Sequence, residues 1–190
     1  DSCYAGMFVG CTSLTTAPEL PATTLATKCY YRMFRDCTSL TTAPELPATT
    51  LGGSCYSNMF SGCTSLTTTP QLPATTLADE CYRAMFGGCV SLSASTDFSN
   101  VTSVGSGSCT SMFAGCTGIT SIPSLIVGGD YMFEGCTSLT EIPVVRHGYA
   151  YMFRGCTALT SAIINGISGG KHMFRGCTSL TGVTGTVYPG

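Results

Sequence analysis

Thirteen cysteines, two histidines and ten carboxylates are the side chains in this 190-residue chain that could do chemistry, and none of the three sets converges. Catalysis requires a nucleophile, a base and oxyanion donors gathered in a non-repeating constellation. The only neutral-pH bases are His147 and His172, in different loop contexts. His147, between Arg146 and Gly148, reads as a solvated turn residue; His172 stands before Met173 where Tyr131 and Tyr151 stand before their own Met, a place in a partly exposed aromatic column. No glycine-rich loop follows a strand in the way a phosphate cradle needs. Zinc fits poorly, because neither Cys-x-x-Cys nor a recurring His occurs and thiols on one face of a ladder make no tetrahedron. The chain is therefore expected to be no enzyme, with no catalytic residues, cofactor or metal site.

The cysteines are positioned by a repeat. Met-Phe pairs begin at Met7, Met33, Met59, Met85, Met112, Met132, Met152 and Met173, at spacings of 26, 26, 26, 27, 20, 20 and 21 residues. A fixed period in this range is the signature of a solenoid. Eight cysteines lie four residues after those methionines: Cys11, Cys37, Cys63, Cys89, Cys116, Cys136, Cys156 and Cys177. Cys3, Cys29, Cys55 and Cys81 precede Met by four, and Cys109 is their displaced fifth. One small, readily buried side chain at an equivalent place in every coil reads as core. Cysteines eight apart on one helix would lie about 12 Å apart, too far to bond. Neighbouring coils could bring equivalent cysteines together, so a ladder of free thiols and a set of inter-coil bridges both fit. The odd total leaves at least one thiol unpaired.

Within a coil, Cys29, Met33 and Cys37 at i, i+4 and i+8 predict one inward stripe of a short helix, with Phe34 beside it. Gly stands three residues after Met in seven of eight copies, Asp36 being the exception, which suits a left-handed helix end. Cys-x-x-Leu-x-x-(Ala/Ile)-Pro-x-Leu, as at Cys116 to Leu125, then predicts a short extended segment that Pro confines to an edge or an end. The expected fold is an α/β solenoid with one short strand and one short helix per coil of 20 to 27 residues. Eight coils with strands stacked at roughly 4.8 Å would span about 38 Å.

Residues 1–89 form long coils of 26 residues, 90–116 an irregular transition coil, and 117–190 short coils of 20 or 21, all in one array. The segment from Thr12 to Leu25 reappears from Thr38 to Leu51 and, with two changes, from Thr64 to Leu77. The triplets before the upstream cysteines vary instead: Ala26, Thr27, Lys28; Gly52, Gly53, Ser54; Ala78, Asp79, Glu80. Variation there fits exposure. Residues 90–108 lose both prolines and gain Gly and Ser. The later coils drop the Ala-Thr-Thr-Leu-x-x-x-Cys-Tyr segment and turn on Gly128, Gly129, Gly148, Gly169 and Gly170.

Apolar residues make up 44% and charged ones 9%, so Ser, Thr, Asn and Gly must carry solubility. A net charge of -2 gives no footprint for nucleic acid. No apolar run approaches the ~18 residues of a membrane span, and no basic-then-apolar secretion signal opens the chain. It starts on Asp1 in mid-coil and ends at Gly190 without polar caps, and so reads as an excised piece whose targeting information lies elsewhere.

The unit Met-Phe-x-Gly-Cys-Thr-Ser-Leu, with Ile-Pro-x-Leu downstream at Ile122 to Leu125, resembles the cysteine-containing leucine-rich repeats of the Treponema and BspA type. Asp97 to Val104, followed by Ser111-Met-Phe-Ala-Gly-Cys116, is similar to a related bacterial surface-protein repeat. The Met, where the former family often has Ala, and the Ala-Pro-Glu-Leu-Pro segment depart from the pattern. The resemblance implies a right-handed leucine-rich-repeat superhelix on bacterial cell surfaces or in secreted and phage-encoded adhesive proteins, and it brings no catalytic residues.

Glu19, Glu45, Gln71 and Asp97 stand eight residues after the recurring Cys, a column of acceptors whose like charges repel unless a basic partner or a cation relieves them. Thr16, Thr42 and Thr68 form a hydroxyl column nearby. These seven are the expected binding residues; a solvated rim is the plainer reading. Tyr4, Tyr30, Tyr56 and Tyr82 form a column expected to pack over the inward stripe. The unequal coils argue against the flatness an ice-binding face needs, and Asn100-Val-Thr102 is a lone glycosylation match. The function expected is an extracellular or cell-surface binding and adhesion scaffold for protein or glycan. The alternative is a structural fibre built by self-association of terminal coils.

Overall fold

The computed structural model describes every residue except 124–126, 168–169 and 188–190, and no side chain of residues 166, 167, 186 or 187. Leu125, Gly169 and the last three residues therefore lie outside it.

The stretch expected to be helical is a ribbon of overlapping β-turns, and no helix occurs among the described residues. In the second coil the amides of Cys29, Tyr31, Met33, Arg35 and Cys37 donate to carbonyls three residues back. Between them, Arg32, Phe34 and Asp36 donate forward to Ser57, Met59 and Ser61 of the next coil, at 3.0, 2.9 and 2.8 Å. A helix satisfies its amides internally. This ribbon spends alternate amides on its neighbour and zips each coil to the next. Turns of this kind place their third residue at positive φ, as at Lys28 (58°), Tyr30 (62°), Arg32 (56°) and Asp36 (60°). The glycine column after Met also takes positive φ, for example 77° at Gly62 and 75° at Gly88, inside a turn ribbon rather than at a helix end.

The inward stripe nevertheless forms, because the ribbon buries residues in pairs with a period of four. Cys29 and Tyr30 point in, Arg32 is exposed, Met33 and Phe34 point in, Asp36 is exposed, and Cys37 points in. Over eight residues a period of four cannot be told from the helical 3.6.

The core is a set of columns. The phenylalanines from Phe8 to Phe174 stack face to face with centroids 5.4 to 5.7 Å apart and planes within 9°. Tyr4, Tyr30, Tyr56 and Tyr82 stack at 5.8 to 6.0 Å, and Phe98 of the transition coil continues that column at 6.3 Å. Leu40, Leu66, Leu92, Ile119, Leu139 and Leu159 are fully buried.

Strand structure is thinner than expected in the long coils. Thr16, Thr42 and Thr68 join by single parallel bridges, as do Thr24 and Thr50. Two-residue strands β1 (Thr76–Leu77) and β2 (Ser103–Val104) pair in parallel. Among the described residues, longer strands occur only at β3 (Ser161–Ile167) and β4 (Gly182–Val187), also parallel, in coils lacking the proline pair. Proline has no amide to donate to a ladder, and Pro18, Pro21, Pro44 and Pro47 hold the early coils to isolated bridges.

Candidate functional site

The seven residues expected to bind are all exposed. Bridge pairing sets Thr16, Thr42 and Thr68 in one register, and the Thr67 hydroxyl donates to the Thr41 carbonyl at 3.4 Å, so part of the hydroxyl array serves the stacking itself. Glu19 and Glu45 line one shallow pocket of about 280 Å³ whose walls include Pro18, Pro21, Pro44 and Pro47. The prolines stiffen this rim. Asp97 is used differently: its oxygens accept the Ser99 amide at 2.9 Å and hydroxyl at 3.0 Å, a local turn of the transition coil. The structure thus brings Glu19 and Glu45 to one pocket and commits Asp97 to its own loop.

The thiols do structural work. All thirteen cysteines are free. Each recurring cysteine from Cys37 onward donates to the carbonyl of a phenylalanine in the preceding coil: Cys37 to Phe8 at 3.0 Å, Cys63 to Phe34 and Cys89 to Phe60 at 3.1 Å, Cys116 to Phe86 at 3.0 Å. Cys136, Cys156 and Cys177 do the same to Phe113, Phe133 and Phe153. Burial pushes the Cys63 thiol up to about 12, first through lost hydration and next through Cys37. Burial likewise raises Cys116 and Cys156 to about 12. A thiol so placed is no nucleophile at neutral pH. In the second series, the sulfurs of Cys3 and Cys29 approach to 2.8 Å.

His172 continues the column predicted for it, tilted against Tyr151 at 5.2 Å, while Tyr151 stacks on Tyr131 at 4.9 Å. His147 is exposed elsewhere. No group of three or more metal-capable side chains occurs among the described residues, and no helix there is long and apolar enough to cross a membrane.

Sequence reasoning missed a groove on the turn ribbon, about 520 Å³, that gathers Lys28, Arg32 and Arg83 across three long coils. The available signal was the variation at Lys28, Ser54 and Glu80, read only as exposure. What hid the groove was the period: the three cations come from three different positions of the repeat.

Coils zipped by alternate amides, joined by parallel bridges and filled by a leucine column define a leucine-rich-repeat solenoid. The chain belongs to the BspA-type leucine-rich-repeat region family, whose model matches it in six copies over residues 2–120 and 79–186. Among solved structures it is similar to a leucine-rich repeat protein from Bacteroides ovatus ATCC 8483, with 19% identity over 97% of this chain and 75% of that one and a TM-score of 0.35. Among curated proteins, none matches.

Proposed function

We propose that this chain is a non-catalytic binding scaffold of the bacterial cell exterior, and that the face carrying Thr16, Thr42, Thr68, Glu19, Glu45 and Gln71 meets a protein or glycan partner. Asp97, the seventh of the expected residues, is engaged within its own turn. The observation that supports the reading most is the pairing of Glu19 and Glu45 on one proline-walled pocket, exposed and beside a threonine column held in register. Two carboxylates on one pocket favour a basic partner. Membership of the BspA-type family agrees with a surface repeat protein.

The test passes the immobilised chain over a glycan array and a panel of lysine- and arginine-rich peptides. The expected result is retention of at least one probe, lost in a Glu19→Lys/Glu45→Lys double variant with an unchanged circular dichroism spectrum. No retention, or retention indifferent to the double variant, overturns the assignment of this face. Filaments of the purified chain in electron micrographs would instead speak for assembly as its role.

A further inference from the structure

We infer that the groove on the turn ribbon is a binding site for a carboxylate-bearing sugar. It is a different site from the threonine and glutamate face, and it deepens the scaffold reading by naming a ligand class.

The first observation concerns which positions line it. The first three long coils are near copies, yet the groove is walled by the places where they differ: Lys28, Ser54 and Glu80 at one repeat position, Tyr31, Ser57 and Arg83 at a second, Arg32 and Asn58 at a third. Repetition alone builds columns of like residues, as in the threonines and phenylalanines. Here equivalent positions carry a lysine beside a serine beside a glutamate, so adjacent coils supply complementary groups to one concavity. That is the non-repeating convergence of polar groups that a ligand site requires.

The second observation is charge. The chain has eight Lys and Arg residues and a net charge of -2, yet three of the eight line this groove against the single carboxylate of Glu80. That carboxylate is engaged: it takes the Arg83 guanidinium at 2.8 Å and the Ser54 hydroxyl at 3.3 Å. Arg32 is held with its guanidinium 4.8 Å from the centroid of the Tyr31 ring, and no ion pair of Lys28 or Arg32 occurs among the described residues. The cation–π contact with Tyr31 restrains Arg32, and a guanidinium suits a bidentate anion.

The third observation separates a sugar from an acidic peptide. A peptide interface is anchored by apolar and aromatic side chains in desolvated pockets. Besides its charges this groove offers the hydroxyl of Ser54 and the amide of Asn58, with one aromatic ring, Tyr31, and the buried Ser57 in its lining. The Asn58 amide already donates to the Ser57 hydroxyl at 3.0 Å, which holds it in place for a ligand hydroxyl. A carboxylate against Lys28 and Arg32, with ring hydroxyls toward Asn58 and Ser54, uses each of the groups that are not buried. Uronic acids and sialic acids share that chemistry.

Isothermal titration of the whole chain with a galacturonate oligosaccharide and with sialyllactose distinguishes the two sources, with lactose and a triglutamate peptide as controls. Binding of one or both acidic sugars is expected, with lactose weaker by tenfold or more and triglutamate no tighter than lactose. Lys28→Gln/Arg32→Gln should weaken the acidic sugar at least tenfold at an unchanged circular dichroism spectrum. Glu19→Lys/Glu45→Lys should leave this binding unchanged, which keeps the fate of this groove separate from that of the other face. No binding of either acidic sugar, equal binding of lactose or triglutamate, or indifference to Lys28→Gln/Arg32→Gln each overturns the proposal.

Discussion

Cys63 donates its thiol proton to the carbonyl oxygen of Phe34 at 3.1 Å, and the same carbonyl takes the Cys37 amide of its own coil, also at 3.1 Å. A carbonyl has two lone pairs. Here one closes a turn and the other ties that turn to the next coil. The bond recurs at every junction from Cys37 to Cys177, which explains a cysteine at each repeat without invoking bridges, metal or catalysis.

Cys63→Ala should cost about 1–3 kcal/mol, the sum of a lost donor and a small void. Cys11 is exposed, and Cys11→Ala should change stability by less than about 0.5 kcal/mol. Denaturant unfolding of the two variants checks the contrast; equal effects would mean that the thiol bond contributes nothing.

Phe60 stacks on Phe34 at 5.7 Å and on Phe86 at 5.6 Å, so its removal breaks two junctions. Phe60→Ala should lose about 3–5 kcal/mol. Because each coil leans only on its neighbours, the damage should also divide the array into two weakly coupled halves. Hydrogen exchange would show this as amides of the third coil opening well below the energy of those in the fifth.

How much of this was legible beforehand follows from what each signal reports. Burial was legible: Cys29, Met33, Phe34 and Cys37 face inward as their spacing requires. The type of backbone was not, since a four-residue turn ribbon and a 3.6-residue helix coincide over so short a run. What separates them is where the even-numbered amides go, and Phe34 donating to Met59 is a long-range fact invisible to local pattern. The left-handed requirement after Met was legible through its glycines, whereas Lys28, Tyr30 and Arg32 take the same conformation with nothing in their residue type to announce it. At the candidate sites, the repeating columns of Thr16 and Glu19 were easy to find because they repeat. The groove of Lys28, Arg32 and Arg83 was hard to find because it does not.

The turn ribbon makes a paired forecast about glycine. Gly88 sits at φ 75°, and a Cβ there would meet nothing closer than 3.9 Å, so Gly88→Ala isolates backbone strain from crowding. Ala84 occupies φ 48° without glycine's freedom. Gly88→Ala should lower stability and Ala84→Gly raise it, each by roughly 0.5–1 kcal/mol after the opposing change in unfolded-state entropy. Thermal melts of the two variants should move in opposite directions; a shift the same way would contradict the ribbon conformation.

Alkaline pH should unfold this protein cooperatively, and the direction follows from the buried thiols. Cys55, Cys63, Cys109, Cys116 and Cys156 are each raised from an ordinary 9.0 to about 12, in every case chiefly by burial. A group whose folded value exceeds its unfolded one holds its proton longer in the native state. Its contribution is therefore complete below pH 9 and is lost as pH rises toward 12. Five such groups acting together give a slope of roughly 7 kcal/mol per pH unit once the unfolded chain is fully ionised. A domain stabilised by about 5–15 kcal/mol cannot sustain that slope for long, so the array should unfold before any of these thiols titrates in place. Circular dichroism followed from pH 8 upward should stay flat to about pH 9 and then collapse within one to two units. Absorbance of thiolate should rise in the same interval and not ahead of it. Thiolate appearing while the native spectrum persists would show that the cysteines are not sealed in the core.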